Sequence, residues 1–409
     1  MPNAAPVHST LPTAAAGAIL VLNCGSSSIK FALFDAGANP LPRTPFWNGK
    51  VQGIGVEKPD FGATGIAPRP ITLGAAHPYR DALAYIRRQV MQHLGSRPLA
   101  AAVHRVVHGG SRYFAPVRMT PERLADLRQL VPLAPLHQPF ALEAVQELAA
   151  LDPSLPQFAC FDTGFHRTMP EVEQMMALPW SAWESGIRRY GFHGLSYEYM
   201  THALPERYGA LARGRVIVAH LGNGASLCAL HDLKSVSTTM GFSALDGLVM
   251  GTRCGNLDPG ALIYLMQIRK LSLDAVIHML NHESGLLGLS GVSADLRTLL
   301  PLEANHPRVQ AALALYVRRI VREIGALVAV LGGLDLLVFT AGVGEHSSVI
   351  RARTCAQLAW LGVALDAAAN ACHAPTVSTP DSRVTVGVEP TNEEWVAAWH
   401  AQKMLAGEP

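Results

Sequence analysis

Two stretches of this chain, nearly half its length apart, follow one plan. In the first, the apolar run Ala18 to Cys24 stops at Gly25-Ser26-Ser27-Ser28, and a second run, Ile29 to Asp35, carries Lys30. Short apolar runs on either side of a Gly/Ser turn predict two strands in a hairpin. In the second, Val218 to Leu221 gives way to Gly222-Asn223-Gly224, and Ala225 to Asp232 follows. Laid on each other without a gap, the copies pair Gly25 with Gly222, Ala32 with Ala229, Leu33 with Leu230 and Asp35 with Asp232. Such a repeat predicts a duplicated domain with a ligand held between the halves. Small hydroxyls and backbone N–H groups let a phosphate approach closely, and Lys30 adds a point charge. The G-x-x-x-x-G-K-[ST] pattern is absent, so neither turn is a Walker A loop.

Composition narrows the class. A chain of 409 residues suffices for two α/β domains, and 49% hydrophobic with 16% charged residues is ordinary for a protein with large cores. A net charge of +2 without a dense Lys/Arg block gives no reason to expect nucleic acid. Six scattered cysteines without C-x-x-C fit a reducing cytoplasm. Seventeen histidines show no metalloprotease-like spacing. Residues 1–16, rich in Ala, Pro, Ser and Thr with no Lys or Arg, read as a flexible tail rather than a signal peptide. The apolar stretch Ile324 to Phe339 is broken by Gly332, Gly333 and Asp335 and is too short to span a bilayer, so no membrane partner is expected.

Periodicity predicts helices over 80–94, 121–131, 139–151, 259–268, 273–280, 307–331 and 393–405. Strands are expected at 100–108, 157–162, 334–340 and 384–388, with further strand and loops over 40–78. Strands alternating with helices after each hairpin define an α/β protein. Functional groups of such sheets gather where strands end. There the sequence sets Arg105, Asp162, His193 and Arg253 in or beside glycine-containing loops. Singly, each has an ordinary reading: a surface ion pair, a turn cap or a hydrogen-bonded core histidine. Together with two phosphate-type turns they suit phosphoryl transfer, in which catalysis is positioning plus charge neutralisation.

The motifs then become specific. Asn23-x-Gly-Ser-Ser-Ser-x-Lys30, His-Arg105-Val-Val-His-Gly-Gly, Pro-Leu-His137, Phe-Asp162-Thr-x-Phe-His and Arg-Tyr-Gly-Phe-His193-Gly occur in that order. They are followed by His220-Leu-Gly-Asn-Gly-Ala-Ser, Met-Gly-Thr-Arg253, Ser-x-Asp295-Leu-Arg297, Thr-Ala-Gly342-Val-Gly-Glu and Pro-Thr-Asn-Glu393-Glu. This order resembles the acetokinase family of acetate and propionate kinases from residue 18 nearly to the C-terminus.

The resemblance implies a duplicated actin-like (ribonuclease H-like) ATPase fold of two lobes with a central cleft. It implies a domain I of 17–164 plus 390–409 and a nucleotide-binding domain II of 165–389. The implied reaction is reversible phosphoryl transfer from ATP to acetate, giving acetyl phosphate and ADP, by a cytoplasmic homodimer with Mg²⁺ or alternatively Mn²⁺. By motif, Asn23 and Glu393 would lie by the metal. Arg105, Val107, His137 and Phe192 would meet the short-chain carboxylate. Lys30, His220, Leu221, Gly222, Asn223, Gly224, Asp295, Leu296, Arg297, Gly342, Val343, Gly344, Glu345 and His346 would bind the nucleotide. Asp162, His193 and Arg253 would be catalytic.

Some positions depart from the family pattern. Ala244 stands where proline is usual near the acyl pocket, and Gln138 replaces Asn. Leu195 and Tyr197 replace Thr and His, Cys254 and Asn256 replace Ser and Asp, and His346 replaces Asn. Ala244 leaves propionate kinase as an alternative. A rival of another class, an actin- or chaperone-like ATPase without acyl chemistry, does not account for the arginine and histidine loops. A sugar or glycerol kinase would need a base for a neutral hydroxyl, and no polyol-binding motif is evident.

Overall fold

The computed structural model describes residues 17–56, 58–135 and 137–407, so the expected tail at 1–16 lies outside the described residues. The chain forms two compact units: Met1–Val106, Ala115–Cys160 and Glu393–Pro409 make the first, and Val107–Phe114 with Phe161–Asn392 the second. The segment 107–114 and residues 161–164, expected with domain I, pack with the second unit. His108 packs edge-on against Tyr190 and Phe192, with ring centroids 4.5 and 5.6 Å apart, the Asp162 carbonyl accepts from Gly194 N–H, and the two segments are also closely packed on each other. A Cβ on Gly109 would fall 2.0 Å from the Tyr113 carbonyl oxygen, and one on Gly164 2.4 Å from that of Phe114. Tyr113 also stacks on Phe161, with ring centroids 5.7 Å apart.

The first unit holds strands β1 (Ala18–Cys24), β2 (Ser28–Asp35), β3 (Trp47–Gln52), β4 (Asp60–Ala63), β5 (Ile66–Pro70), β6 (Leu99–Val106), β7 (Val117–Arg118) and β8 (Gln157–Phe161). They form one sheet in the order β5-β4-β3-β2-β1-β6-β8-β7. β1 is central and buried along nearly its whole length, which is why its sequence is a continuous apolar run rather than an alternating one. The helix Pro78–Leu94 opens on proline and turns Tyr79, Ala82, Leu83, Ile86, Val90 and Leu94 inward, an i, i+3, i+4 stripe that joins the β1–β3 core. The helix Glu393–Leu405 packs on β1 and β6. It is tied to the segment that follows the first hairpin by Trp395 Nε1 to the Leu41 carbonyl at 3.1 Å and by Gln402 Nε2 to the Ala36 and Ala38 carbonyls.

The second unit holds β9 (Val216–Leu221), β10 (Ala225–His231), β11 (Lys234–Thr238), β12 (Leu336–Thr340) and β13 (Thr385–Val388), ordered β11-β10-β9-β12-β13. The helix Pro307–Leu331 lays a stripe from Val309 to Val328 into its core and stops at Gly332, whose φ of +71° closes the helix as only glycine does cheaply. The two sheets repeat one plan. In each, a hairpin and a third antiparallel strand lie on one side of the leading strand, and a parallel strand lies on the other.

The gap-free pairing of the two hairpins slips by one residue after the turn. Gly25 N–H donates to the Ser28 carbonyl, whereas Gly222 N–H donates to the Gly224 carbonyl. The second turn is therefore one residue shorter. Since turn length fixes hairpin register, Ala32 corresponds to Cys228 rather than Ala229.

Candidate functional site

In the first unit, three expected residues meet. Asn23 lies near the end of β1, Arg105 near the end of the neighbouring parallel strand β6, and Glu393 opens the C-terminal helix. Arg105 Nη1 is 3.1 Å from Glu393 Oε2 and donates to Asn23 Oδ1 at 3.4 Å. The Arg105 and Glu393 side chains are 19% and 12% exposed, dry enough for the pair to hold its geometry. Lys30 pairs with Asn23 across the hairpin and is exposed. His137 is half-buried just before the helix Gln138–Leu151.

In the second unit, the helix Gly194–Tyr208, which periodicity did not reveal, positions His193 and the groups behind it. His193 sits at its N-terminus with φ +57°, a left-handed conformation that costs a non-glycine residue about 1–3 kcal/mol. The next residue secures the bend: Gly194 N–H donates to the Asp162 carbonyl at 2.9 Å, and a Cβ there would lie 2.1 Å from that oxygen. Gly194→Ala is therefore expected to cost about 2–3 kcal/mol through a clash against rigid backbone; a urea midpoint equal to wild type would refute this. Asp162 itself is buried at the end of β8.

His193 Nδ1 lies 2.8 Å from Ser226 Oγ, and its ring stacks on that of His220 with centroids 4.1 Å apart and planes at 16°. Arg253 reaches the same place. A Cβ on Gly224 would lie 2.6 Å from Arg253 Nη2 and 3.2 Å from His193 Nε2, so the bare turn is what lets both tips close in. Arg253 Nη1 is held by the Ala244 carbonyl at 2.6 Å. Burial pulls its guanidinium down to about 10, so at neutral pH it remains a desolvated cation. The Asp-to-Asn departure at 256 leaves its loop bonded, because Arg319 donates to Asn256 Oδ1 at 3.0 Å and Asn256 N–H donates to the Gly247 carbonyl at 2.9 Å.

Beside this cluster opens a pocket of about 660 Å³ within the second unit. Of the expected nucleotide residues it is lined by Gly222, Asn223, Asp295, Leu296, Arg297, Gly342, Val343 and His346. Gly251, Leu286, Ala294, Leu300, Tyr316 and Ser347 complete it, and sequence reasoning had not named them for this role. Nothing lies within 4 Å of a Cβ placed on Gly342, which leaves that backbone open to an occupant. His220, Leu221 and Gly224 belong to the adjoining hairpin, and Gly344 and Glu345 also stand outside the lining. Glu345 instead accepts a hydrogen bond from Thr391 N–H at 3.2 Å. The 342–345 stretch, expected as a loop, forms the helix Ala341–His346. Fully buried Arg351 braces it by donating to the Gly344 and Glu345 carbonyls. Val107, Phe192 and Ala244 share the core cluster of this unit.

The duplicated sheets and their glycine turns define the actin-like ATPase fold, and Arg253 stands desolvated beside the second of those turns. The sequence model of the Acetokinase family matches residues 18–399. The acetate kinase of Rhodopseudomonas palustris (strain ATCC BAA-98 / CGA009) is 48% identical over 395 residues, covering 95% of this chain and 98% of that protein. Among solved structures, Porphyromonas gingivalis acetate kinase is 35% identical with a TM-score of 0.82, covering 94% of this chain and 98% of its own. A propionate kinase from Francisella tularensis subsp. tularensis SCHU S4 is 34% identical with a TM-score of 0.87 and the same coverage. The chain belongs to the acetokinase family, phosphotransferases with a carboxyl group as acceptor.

Proposed function

We propose that this protein transfers the γ-phosphoryl group of ATP reversibly to acetate, forming acetyl phosphate and ADP. The observation that carries the reading is the convergence of Arg253 Nη2 and His193 Nε2 on the bare Gly224 turn, beside a pocket of about 660 Å³, a size that suits a nucleotide.

A carboxylic acid resembles a glutamate side chain, with a pKa of about 4.3, so the acceptor is ionised at neutral pH and needs no general base. Asp162 then serves to orient a cation rather than to take a proton. The obstacle is repulsion between a carboxylate and a triphosphate. Arg105 answers it by holding the carboxylate, with His137, Val107 and Phe192 around the acyl group. Arg253 and His193 take the charge of the transferring phosphoryl group, and Lys30 meets the nucleotide phosphates. The hairpin turn at 220–224, the 295–297 loop and the 342–346 helix cradle the nucleotide. Acetate has four heavy atoms, and at a ceiling of about 1.5 kcal/mol each it binds no tighter than roughly tens of micromolar. Its affinity therefore leans on the Arg105 ion pair.

Asn23 Oδ1 and Glu393 Oε2 share one cationic partner, Arg105 Nη1. An amide oxygen and a carboxylate are hard donors, and Mg²⁺ characteristically takes one or two carboxylates with water and phosphate oxygens making up the rest. This donor set fits, and bound Mg²⁺ would supply charge neutralisation of the phosphates.

A homodimer is supported by the helix Pro259–Gln267, whose apolar sequence buries no residue. Ile263, Tyr264 and Ile268 are more than half exposed there, as is Leu273 at the next helix, a patch of the kind that subunit interfaces cover. Sedimentation of Tyr264→Glu/Ile268→Glu as a monomer, against a wild-type dimer, is the expected result; identical sedimentation would overturn it. Cytoplasmic residence is supported by six free cysteines. Among the described residues no helix is long and apolar enough to cross a membrane.

The deciding assay is acetyl-hydroxamate formation from ATP, acetate and Mg²⁺ by the pure protein. Slow ATP hydrolysis indifferent to acetate would overturn the proposal. Because one methylene in an apolar pocket is worth about 1–3 kcal/mol, kcat/KM for acetate, propionate and butyrate reads the acyl range directly.

A further inference from the structure

Three histidines of the second unit share one arrangement: Nδ1 faces a serine hydroxyl, and that serine oxygen faces another hydrogen-bonding group. His166 shows how to read it. Its Nε2 lies 2.9 Å from the Phe192 carbonyl, which can only accept, so Nε2 carries a proton. Burial pulls the ring down to about 4 and keeps it neutral, so Nδ1 accepts from Ser235 Oγ at 2.8 Å. The Cys228 thiol stands 3.4 Å from the same serine oxygen.

His220 repeats the pattern. Its Nδ1 is 2.8 Å from Ser196 Oγ, and Thr391 donates its own hydroxyl to that oxygen at 2.7 Å. The Ser196 proton is left to point at His220 Nδ1. At His193 the serine is Ser226, 2.8 Å from Nδ1, and the second group is the Tyr197 hydroxyl at 2.5 Å. A phenol, with a pKa of about 10, is a far better donor than an aliphatic alcohol, so Tyr197 donates and Ser226 passes its proton toward the ring. Tyr197 and Ser226 are both fully buried, so solvent does not compete for these bonds.

We propose that Tyr197 acting through Ser226, and Thr391 acting through Ser196, hold His193 and His220 as neutral Nε2–H tautomers that donate hydrogen bonds along the β9–β10 turn. Tyr197 and Thr391 are positioning residues, and Tyr197 is one of the places where this sequence departs from the family pattern. The Nε2 atoms face the turn: a Cβ on Gly224 would lie 3.2 Å from that of His193, and one on Gly222 3.8 Å from that of His220. Cationic and aromatic groups crowd His193 from several elements, and Asp162 is the acidic residue behind the bend, its carbonyl accepting from Gly194 N–H. His220 on β9 stacks on it, Arg253 brings a cation from the 251–256 loop, and Tyr197 lies one turn along its own helix. A second or third positive charge at that spot would be repelled. Arg253 therefore supplies the charge and the imidazoles supply direction. The tautomer is read from the structure alone; its catalytic meaning rests on the phosphoryl-transfer reading.

The test is long-range ¹H–¹⁵N spectroscopy of the full-length protein labelled in histidine, with His193→Gln and His220→Gln variants assigning the two rings. Near neutral pH both rings are expected as Nε2–H. Tyr197→Phe keeps the packing and frees Ser226 to accept from Nδ1–H, so His193 becomes a tautomer mixture and titrates at higher pH. In the same variant kcat falls about tenfold, the worth of one hydrogen bond, with KM for ATP unchanged. Ser226→Ala has the same effect, and the double variant is no worse than either single one. Thr391→Val moves His220 and leaves His193 alone. A wild-type His193 that is charged or carries its proton on Nδ1, or Tyr197→Phe spectra identical to wild type, overturns the proposal. Correct spectra from a protein that makes no acetyl-hydroxamate would instead overturn the functional reading and leave the tautomers standing.

Discussion

Arg253→Ala is expected to lower kcat by about 10²–10³, the cost of removing one preorganised group that stabilises charge in the transition state. The guanidinium is already desolvated and tethered to the Ala244 carbonyl, so it pays little reorganisation when charge develops beside it. Stability should move the other way. A desolvated cation without an ion pair among the described residues is a burden on the fold, and its removal should leave Tm unchanged or slightly raised. Arg253→Lys should recover only part of the loss, because an ammonium cannot hold the Ala244 carbonyl with one nitrogen and face the turn with another. Steady-state kinetics with a thermal melt on the same samples checks both halves. Wild-type kcat in the alanine variant would remove Arg253 from the mechanism.

Acid should unfold this protein earlier than its carboxylates alone would dictate. His104, His108 and His166 are buried and each is pulled down from 6.5 to about 4, chiefly by desolvation. The unfolded chain binds protons at these rings below about pH 6.5, while the folded chain refuses them until about pH 4. Stability is therefore complete above the unfolded value and is lost as pH falls through that window, by about 3 kcal/mol per ring at 1.36 kcal/mol per unit. Asp335, held below its usual range by its hydrogen bonds and ion pair with Arg215, acts only at lower pH, so the windows separate. Urea midpoints measured from neutrality to pH 4.5 should fall steadily; a flat profile would mean that the rings are protonated in the native state. His104 has a local signature, since its Nε2 donates to Gln157 Oε1 at 2.7 Å and Gln157 passes a bond on to the Val145 carbonyl.

The elements with long, uniform patterns were readable from sequence. The helix Pro307–Leu331 was placed end to end because proline opens it, glycine closes it and the apolar stripe between is unbroken. The helix Gly194–Tyr208 escaped because its inward face mixes Leu195 and Met200 with Ser196, Tyr197 and Tyr199, of which Ser196 and Tyr197 bond the groups around His220 and His193. Function had overwritten the hydrophobic signal. The short helix Ala341–His346 was hidden by two glycines that read as loop, and its support comes from Arg351, a charged residue that no burial rule would send to the core. The hairpins were visible, but their one-residue difference in turn length was not, because register depends on backbone geometry that small residues leave open. In the site, motif order named His193 and Arg253, whose tips the structure brings to the Gly224 turn. The serines and hydroxyls behind them were invisible, since Ser and Thr carry no positional signature until partners are placed.

The first unit closes on a helix that begins at Glu393, more than two hundred residues after the sheet it completes has been synthesised. A ribosome delivers β1 and β6 early and Glu393 last, so the strand ends carrying Asn23 and Arg105 wait for their carboxylate through most of translation. Growing chains thus hold Arg105 beside Asn23 without its ion-pair partner, and the three groups come together only when the helix that starts at Glu393 is made.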